Sequence, residues 1–310
     1  MSDVLVNTQN LSNEEWLEWR KQGLGGSDIA TICGLNKYKS PIELWMEKTG
    51  QIESKPAGEA AYWGNVMEPI VRNEFSLRTN LNVRLVHSIL KHPIHTFMLA
   101  NLDGEVDDPV CGKCVFEAKT ASVYKLNEWE DSIPEGYMLQ IQHYMYVTGY
   151  KRTFIAVLIG GNQFKYKTIE RDDELIDMII KLETNFWDYV ISNTTPPMDG
   201  SEASSELLNR LYPEGKNKLK IVLPLEANDL ITQFELGKQK EKEASEMKDE
   251  AANKLKAILG ANELGCINNR NVTWKSLITE RFDSKKLRSD IPDIYNKYLS
   301  KSSSRRFTIK

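Results

Sequence analysis

The sequence predicts an α/β (α+β) fold, a mixed central sheet flanked by helices, with a further C-terminal region. Along residues 1–197 the helical and strand-like patterns follow in the order helix, sheet, helix, sheet, helix. Residues 198–225 are rich in Ser, Glu, Asn, Pro and Gly, a composition typical of a linker. Residues 226–310 begin with heavily charged, helix-forming sequence and continue into strand-like runs over 265–278 and 304–310. They predict a helical arm and a small α+β subdomain.

The first elements lie around a glycine-rich loop. Ser12, followed by Glu15, has the spacing of a helix-capping box, and the short amphipathic helix that it opens is expected to end at Gly23. The loop from Gly23 to Asp28 then leads into a second helix. Glycines let backbone N–H groups approach an anion such as phosphate, although the same pattern is also found in simple turns. The loop alone therefore leaves both interpretations open.

The remaining elements of the first region follow from hydrophobic periodicity and from Pro and Gly signals. The helix over 62–78 is expected to bury one apolar stripe and to carry Glu68 and Arg72 on another face. That stripe consists of Val66, Ile70, Val71, Phe75 and Leu77. Helices are predicted over 41–50, 62–78, 135–149 and 172–192, and strands within 83–119 and over 153–159 and 163–170.

Composition excludes several classes of protein. Of the 310 residues 41% are hydrophobic and 27% are charged, values that exclude collagen, a wholly disordered chain and a disulfide-dense scaffold. No apolar run reaches the roughly 18 residues of a membrane span, and the first residues lack the pattern of a signal peptide. We therefore expect a cytoplasmic protein without membrane contact. The net charge of −4 indicates no partner by itself.

The cysteines allow two interpretations. Only Cys111 and Cys114 have the spacing of metal ligands, and the other two cysteines lie far away in the sequence. A metal-thiolate site would need further ligands, whereas a simple thiol pair at the tip of a hairpin would need none.

The residues with catalytic potential lie in one predicted hairpin. Glu117 and Lys119 alternate with Phe116 and Ala118, so they point to the same face of a strand. The turn signals between Asp103 and Glu117 allow the chain to return, which brings the two carboxylates together. Two carboxylates beside a lysine form a site for Mg²⁺ that is suited to phosphodiester hydrolysis. A hairpin with Glu and Lys on its solvent face is the alternative.

This Asp…Glu-x-Lys pattern resembles the PD-(D/E)xK nuclease superfamily, whose core is restriction-endonuclease-like. Longer motifs over residues 12–190 resemble, in order, the YqaJ-type viral recombinases, relatives of bacteriophage lambda exonuclease. The sequence departs from the superfamily pattern at Asn101-Leu102, where Pro often precedes the aspartate. The matching strings are Trp19-Arg20, Gly25–Ala30 (GGSDIA), Ser40–Trp45 (SPIELW), Gly64–Pro69 (GNVMEP) and Gln140–Met145 (QIQHYM).

The resemblance implies a role for each matching residue. Asp103, Glu117 and the Ala118 carbonyl would hold Mg²⁺, for which Mn²⁺ is expected to substitute, and Lys119 would assist the nucleophile. The same motifs assign five side chains beyond the two metal-binding carboxylates. Glu68 and Gln140 would support the catalytic site, Lys119 would act in it, and Arg20 and Ser27 would grip a DNA 5′-phosphate.

The implied activity is a Mg²⁺-dependent 5′-to-3′ exonuclease that acts on linear double-stranded DNA. It would leave 3′ overhangs for a phage single-strand annealing protein in the cytoplasm of a bacterial host, and a homo-oligomer, a trimeric ring, would be expected. Two alternatives remain open. The same core could serve an endonuclease that needs no DNA end, or the protein could be a non-catalytic scaffold that binds DNA ends and recruits an annealing protein through residues 226–310. An iron–sulfur nuclease is disfavoured because its clustered cysteines flank the nuclease core, whereas Cys111 and Cys114 lie between Asp103 and Glu117.

Overall fold

The computed structural model describes residues 2–54, 58–215, 220–300 and 305–309. It divides into a first unit, Met1–Leu211, and a second unit, Tyr212–Lys310. In chain order the first unit contains β1 (Asp3–Asn7), α1 (Asn13–Arg20), β2 (Leu24–Gly25), α2 (Gly26–Ile32), α3 (Pro41–Lys48), α4 (Glu59–Thr79), β3 (Val83–Arg84), β4 (Ser88–Lys91), β5 (Met98–Ala100), β6 (Gly104–Asp108), β7 (Gly112–Ala121), a 3-10 helix (Val123–Trp129), α5 (Glu135–Thr148), β8 (Arg152–Ile159), β9 (Gln163–Glu170), α6 (Asp173–Ile191) and α7 (Glu202–Leu211).

Several helix ends follow the local signals in the sequence. At the start of α1 the Ser12 side chain accepts the Glu15 N–H, and the Glu15 carboxylate accepts the Ser12 N–H, which forms the predicted capping box. Pro41 occupies the first turn of α3 after the Ser40 cap. Gly149 ends α5 with a φ of 77°, a backbone conformation that most other residues adopt only with strain.

A five-stranded mixed sheet forms the centre of the first unit, in the order β3-β6-β7-β8-β9. β6 and β7 form the antiparallel hairpin that the turn signals predict, with Gly104 opposite Phe116. β7 and β8 are parallel, with Glu117 opposite Ile155, and α5 forms the connection that a parallel pair requires. The predicted mixed sheet flanked by helices is therefore confirmed.

Helices cover both faces of this sheet. On one face Phe75 of α4 packs against Phe116 and Phe154, with ring centroids 5.0 and 5.5 Å apart. On the other face Ile141 of α5 packs in a cluster with Ile155. Because side chains alternate along a strand, Glu117 and Lys119 lie on the face opposite Phe116 and so face α5.

The predicted apolar stripe of α4 is only partly right. Val71 and Phe75 are buried, but Val66, Ile70 and Leu77 are exposed. Within the predicted stripe only Val71 and Phe75 are buried, so the face of α4 that packs on the sheet is narrower than the stripe. The pattern identified the helix correctly and overstated the width of its buried face.

A second, four-stranded sheet has the order β1-β4-β5-β2. Two of its strands, β1 and β2, were not indicated by the sequence patterns. β2 pairs in parallel with β5, which places Gly25 opposite Leu99. Gly23, just before β2, lies so close to this sheet that an added Cβ would be 2.3 Å from the Phe97 carbonyl oxygen. The glycine-rich loop is thereby held beside the chain that leads to Asp103.

The expected linker 198–225 contains folded structure. Its residues 202–211 form α7, in which Leu207 is buried and Arg210 pairs with Glu43 of α3 at 2.7 Å. The first unit therefore extends to Leu211, beyond the expected boundary at residue 197. Local composition concealed this helix because most of its residues are polar or charged, and only Ala203, Ser204 and Leu207 are buried.

The second unit is dominated by the predicted charged helix. It contains α8 (Ala227–Leu259), a hairpin of β10 (Leu264–Ile267) and β11 (Arg270–Thr273), α9 (Ser284–Asp290) and α10 (Pro292–Lys297). Leu259 is buried in α8, whose other described side chains are largely exposed. The sequence predicts a strand over 304–310. The described residues of this range, 305–309, are not in a strand, and residues 304 and 310 lie outside the described residues. Within the described parts of both units, every helix is too short or too polar to span a bilayer.

Candidate functional site

The β6–β7 hairpin brings the two predicted carboxylates together. Asp103 immediately precedes β6, and its Oδ2 atom accepts the backbone N–H of Ala118 at 2.9 Å. The pairing of β6 with β7 ends at Phe116, so Ala118 has no strand neighbour on that side. Because the N–H and C=O of one strand residue point to the same side, the Ala118 carbonyl also faces Asp103.

Glu117 lies at the centre of a hydrogen-bonded group. Its Oε1 atom accepts Lys119 Nζ at 2.5 Å and Gln140 Nε2 at 2.7 Å. Gln140 also donates to the Tyr144 hydroxyl at 3.2 Å, and Lys119 lies over the ring of Tyr137. The second oxygen of Glu117, Oε2, is buried and has no hydrogen-bond partner within the described chain.

Three carboxylates, those of Glu68, Asp103 and Glu117, lie close enough to affect one another. Burial, together with the nearby Asp103 and Glu68 carboxylates, raises the pKa of Glu117 to about 8 despite the opposing effect of Lys119. Burial also raises the pKa of Asp103. Burial opposes the charge of Lys119, but Glu117 and Asp103 together raise its pKa, so the lysine stays cationic.

Glu68 approaches the same group from α4. Its carboxylate pairs with Arg72 at 2.9 Å, one helical turn away, and remains partly exposed. Burial and the nearby Asp103 raise the pKa of Glu68. The predicted residues Glu68, Asp103, Glu117, Lys119 and Gln140 therefore surround one point, although they come from one strand, the residue before β6 and two helices.

Arg20 and Ser27 lie in the same cavity, which has a volume of about 510 Å³. Arg20 Nη2 donates to Ser27 Oγ at 3.0 Å, and its guanidinium lies 4.8 Å above the ring of Trp16. Ser27 is exposed and Arg20 is partly exposed, so both can reach a ligand. Two groups of charged and polar side chains line the cavity. We call the group of Glu68, Asp103, Glu117 and Lys119 its carboxylate end and the pair of Arg20 and Ser27 its other end.

Three residues around Arg20 were not identified from the sequence as belonging to a binding site. Trp16 supports Arg20, Asp28 lies 3.8 Å from the Arg20 guanidinium, and Lys48 pairs with Asp28 at 2.8 Å. Trp16 and Lys48 belong to separate helices, and neither has a local motif that marks it. Asp28 follows Ser27 directly, so its position in the glycine-rich loop was the available signal.

Two polar residues next to Gln140 have structural roles. His143 is fully buried between Glu183, 2.8 Å from Nδ1, and the Leu99 carbonyl, 2.8 Å from Nε2. Gln142 donates to the Glu170 carbonyl and accepts the Asp172 N–H, so it joins α5 to the chain that leads into α6. These contacts explain their burial without any ligand.

Cys111 and Cys114 lie at the turn end of the β6–β7 hairpin, with their sulfur atoms 3.1 Å apart. Asp108 is near both sulfurs. Its carboxylate already accepts the Val110 and Cys111 N–H groups and pairs with Arg152 at 3.2 Å. These contacts fit a thiol pair in a capped turn.

The carboxylate group has the properties of a divalent-cation site. Asp103, Glu117 and the Ala118 carbonyl supply oxygen atoms, the ligands that Mg²⁺ prefers. Glu117 Oε2 is buried without a hydrogen-bond partner among the described residues, and burial together with the neighbouring carboxylates raises the pKa of Glu117. A bound divalent cation would give Glu117 Oε2 a partner and would offset the repulsion between the carboxylates. These residues therefore fit a divalent metal ion.

A family model and a similar protein both relate this chain to one family. Residues 15–151 match the model of the YqaJ-like viral recombinase domain. The chain is 44% identical over 314 residues to the protein YqaJ of Bacillus subtilis strain 168, an alignment that covers 100% of this chain and 98% of that protein.

Two solved structures are also similar. The alkaline exonuclease LHK-Exo from Laribacter hongkongensis is 21% identical, with a TM-score of 0.49, over 64% of this chain and all of that one. A phage-related exonuclease from Haemophilus somnus 129PT is 14% identical, with a TM-score of 0.43, over 55% of this chain and 96% of that one. The near-complete match to YqaJ establishes the family: the chain belongs to the YqaJ family and carries its viral recombinase domain.

Proposed function

We propose that this protein is a Mg²⁺-dependent exonuclease that degrades the 5′-ended strand of linear double-stranded DNA and leaves 3′ overhangs. One observation carries the proposal: a single cavity contains a group of carboxylates with an unpartnered buried oxygen at one end and the Arg20–Ser27 pair at the other. The first end suits hydrolysis of a phosphodiester, and the second suits a terminal phosphate.

Asp103, Glu117 and the Ala118 carbonyl are the proposed metal ligands. A bound divalent cation would polarise the phosphodiester and make water a better nucleophile at neutral pH. Gln140 holds Glu117 Oε1 in place, which leaves Oε2 directed to the cation. Glu68 supports the group electrostatically from α4, and Arg72 fixes the orientation of its carboxylate. Mn²⁺ is expected to substitute because it takes similar oxygen ligands.

Lys119 is the proposed partner of the nucleophile. Its ammonium is held between the Glu117 carboxylate and the Tyr137 ring, which directs it toward the cavity. Because the adjacent carboxylates keep it charged, it can orient the attacking water and neutralise the negative charge that develops on the phosphate.

Arg20 and Ser27 are proposed to select the end of the substrate. A guanidinium recognises phosphate through several N–H groups, and the Ser27 hydroxyl adds a further donor. Their position in the cavity of the carboxylates supports a fixed 5′-phosphate that places the scissile bond at the other end. Contacts of this kind address the DNA backbone, so no base specificity is expected.

The family context supports a wider proposal. A viral recombinase domain suits an exonuclease whose 3′ overhangs are used by a single-strand annealing protein in the cytoplasm of a bacterial host. We also propose that the protein forms a homo-oligomer, a trimeric ring, that stays bound to the DNA during degradation. The second unit, with its largely exposed α8, is the proposed surface for assembly or for the annealing protein.

The direct test uses linear duplex DNA with one 5′-phosphorylated end and one 5′-hydroxyl end, each strand labelled, with Mg²⁺ or with EDTA. A closed circular duplex is incubated in parallel. The Glu117→Ala variant is compared with Glu128→Ala, which removes an exposed carboxylate outside the cavity. We expect Mg²⁺-dependent loss of the phosphorylated strand from its 5′ end, an intact circle and activity only in the control variant.

The other outcomes assign other functions. Cutting of the closed circle would favour an endonuclease with the same core. Tight binding of ends without cleavage, by wild-type protein with Mg²⁺ present, would favour the non-catalytic scaffold. Full activity of Glu117→Ala would contradict the proposed site.

A further inference from the structure

We propose that Lys48 and Asp28 form a buried ion pair that positions Arg20 for the 5′-phosphate, and that the charge of Lys48 prevents Asp28 from capturing the Arg20 guanidinium. This inference rests on the proposed recognition of a 5′-phosphate. Neither residue touches the phosphate in this account, so both are positioning residues. The pair would determine how strongly the enzyme prefers phosphorylated ends.

Lys48 uses every hydrogen bond that its ammonium can donate. It lies at the end of α3, and its Nζ contacts the Arg20 carbonyl at 2.9 Å, the Gly23 carbonyl at 2.6 Å and Asp28 Oδ2 at 2.8 Å. An ammonium has three donors, so none is left for a ligand. The side chain is 6% exposed. Lys48 therefore ties the end of α1, the glycine-rich loop and α2 to one point.

Asp28 lies between the two cations. Its Oδ2 atom accepts the Gly25 N–H at 3.0 Å in addition to the Lys48 ammonium, and its Oδ1 atom is 3.8 Å from Arg20 Nη2. Burial opposes the charge of Asp28, but Lys48 and then Arg20 outweigh it and hold its pKa well below the usual range. The carboxylate is therefore a permanent anion beside the proposed phosphate site.

Asp28 and Ser27 are both close enough to Arg20 to compete for its guanidinium. Arg20 donates to Ser27 at 3.0 Å, whereas its distance to Asp28 is longer than a hydrogen bond. With Lys48 present, Asp28 is already balanced, and the three charged groups together keep one positive charge for the phosphate. Two described cations, Lys48 and Arg20, lower the pKa of Asp28, so Arg20 is the one of the two left to balance it when the charge of Lys48 is removed. A buried carboxylate requires such a counterion. Arg20 would then turn from Ser27 to Asp28.

The test measures the ratio of kcat/KM on 5′-phosphorylated ends to kcat/KM on 5′-hydroxyl ends. Lys48→Gln removes the charge and keeps an amide donor for the two carbonyl oxygens. We expect the ratio to fall about tenfold, because a charge-assisted contact to phosphate is lost. The control Lys39→Gln breaks the Lys39–Glu47 pair, next to α3 and outside the loop, and is expected to change the ratio less than about twofold.

A rescue experiment separates charge from packing. In the double variant Asp28→Asn with Lys48→Gln, both charges are gone and Arg20 has no competing anion, so most of the ratio is expected to return. If the role of Lys48 is only structural, the double variant stays as defective as the single one. A Lys48→Gln variant that loses both rates equally, with an unchanged ratio, would also overturn the proposal.

Further measurements keep the two proposals distinguishable. A wild-type enzyme that cuts both kinds of end equally would contradict phosphate recognition itself. A wild-type preference that Arg20→Ala abolishes and Lys48→Gln preserves would reject only the ion-pair proposal. If Lys48→Gln does not fold, Asp28→Asn alone gives the answer. Without this anion Lys48 and Arg20 together keep two positive charges beside the proposed phosphate site, so the ratio is expected to rise about threefold, and an unchanged or lower ratio contradicts the proposal.

Discussion

The two ends of the cavity in the first unit differ in how their charges are balanced. At the carboxylate end Asp103, Glu117 and Glu68 repel one another, and one buried oxygen has no partner. At the other end Lys48 and Asp28 satisfy each other, and Arg20 keeps one hydrogen bond to Ser27. A bound cation would complete the first end, whereas side chains of the protein balance the charges of the second and leave Arg20 facing the cavity.

The largest effect is expected from a substitution at the carboxylate end of the cavity. Lys119→Ala removes the only cation that touches Glu117 within the described residues, and we expect kcat to fall about 10³-fold because charge stabilisation in the reaction is lost. The control is Lys113→Ala on the same strand, an exposed lysine that pairs with Glu105. A Lys119→Ala enzyme with activity close to that of the control would remove this residue from the mechanism.

The second prediction concerns pH and metal together. Since the pKa of Glu117 is raised to about 8 in the metal-free protein, protons and Mg²⁺ compete for this carboxylate. At low Mg²⁺ concentration we expect activity to rise with pH, about tenfold per unit, and to level off near pH 8. At high Mg²⁺ concentration the whole profile is expected to move to lower pH. Profiles that coincide at both concentrations would contradict a shared site.

The same pKa shift has a consequence for stability. The folded protein keeps the proton of Glu117 while the unfolded chain releases it, so the metal-free protein is expected to lose stability as pH rises from about 4.5 to about 8. Added Mg²⁺ should restore the melting temperature most strongly above that window. Glu117→Gln, which has no carboxylate to ionise, is expected to lose this contribution, and an unaltered slope in that variant would assign it to other groups.

The third prediction tests the phosphate end. Arg20→Ala is expected to lower kcat/KM on 5′-phosphorylated ends by about 10- to 100-fold and to affect 5′-hydroxyl ends much less. Arg78→Ala is the matched control, because Arg78 is an exposed arginine of α4 that pairs with Glu74. Equal losses on both kinds of end would show that Arg20 serves the fold and not the recognition of phosphate.

The smallest expected effect tests how firmly the carboxylate end is held. Tyr144→Phe removes the hydroxyl that accepts the second N–H of Gln140, the residue that fixes Glu117. We expect kcat to fall about fivefold, because one buried hydrogen bond of about 1 kcal/mol is lost. Tyr150→Phe, which removes a hydroxyl bonded to Glu105, is the control. A loss as large as that of Lys119→Ala would give Tyr144 a direct part in the reaction.

The two ends also differ in how far the sequence predicts them. The carboxylate end depends on alternation along one strand and on a hairpin, both of which are local, and so Asp103, Glu117 and Lys119 could be placed together in advance. Gln140 came from the motif resemblance. The ion pair at the other end joins a loop to a different helix, and neither Asp28 nor Lys48 has a pattern that predicts its partner.

The same reasoning explains the errors in the fold. The helical periodicity of α4 predicted the helix, but Ile70 and Leu77 are exposed because only a narrow face meets the sheet. α7 was concealed within a polar segment, since one buried leucine and one ion pair to Glu43 attach it. Tertiary contacts of this kind involve few residues and leave little trace in composition.

The hydrogen bond between the Ala118 amide and Asp103 links the backbone of β7 to the cation site. On that side of the strand a side chain occupies the place that a neighbouring strand fills elsewhere. Hydrogen–deuterium exchange at this single amide should therefore report the charge and position of the carboxylate. Exchange that slows as Mg²⁺ or Mn²⁺ is added would allow occupancy of the site to be followed without DNA and without catalysis.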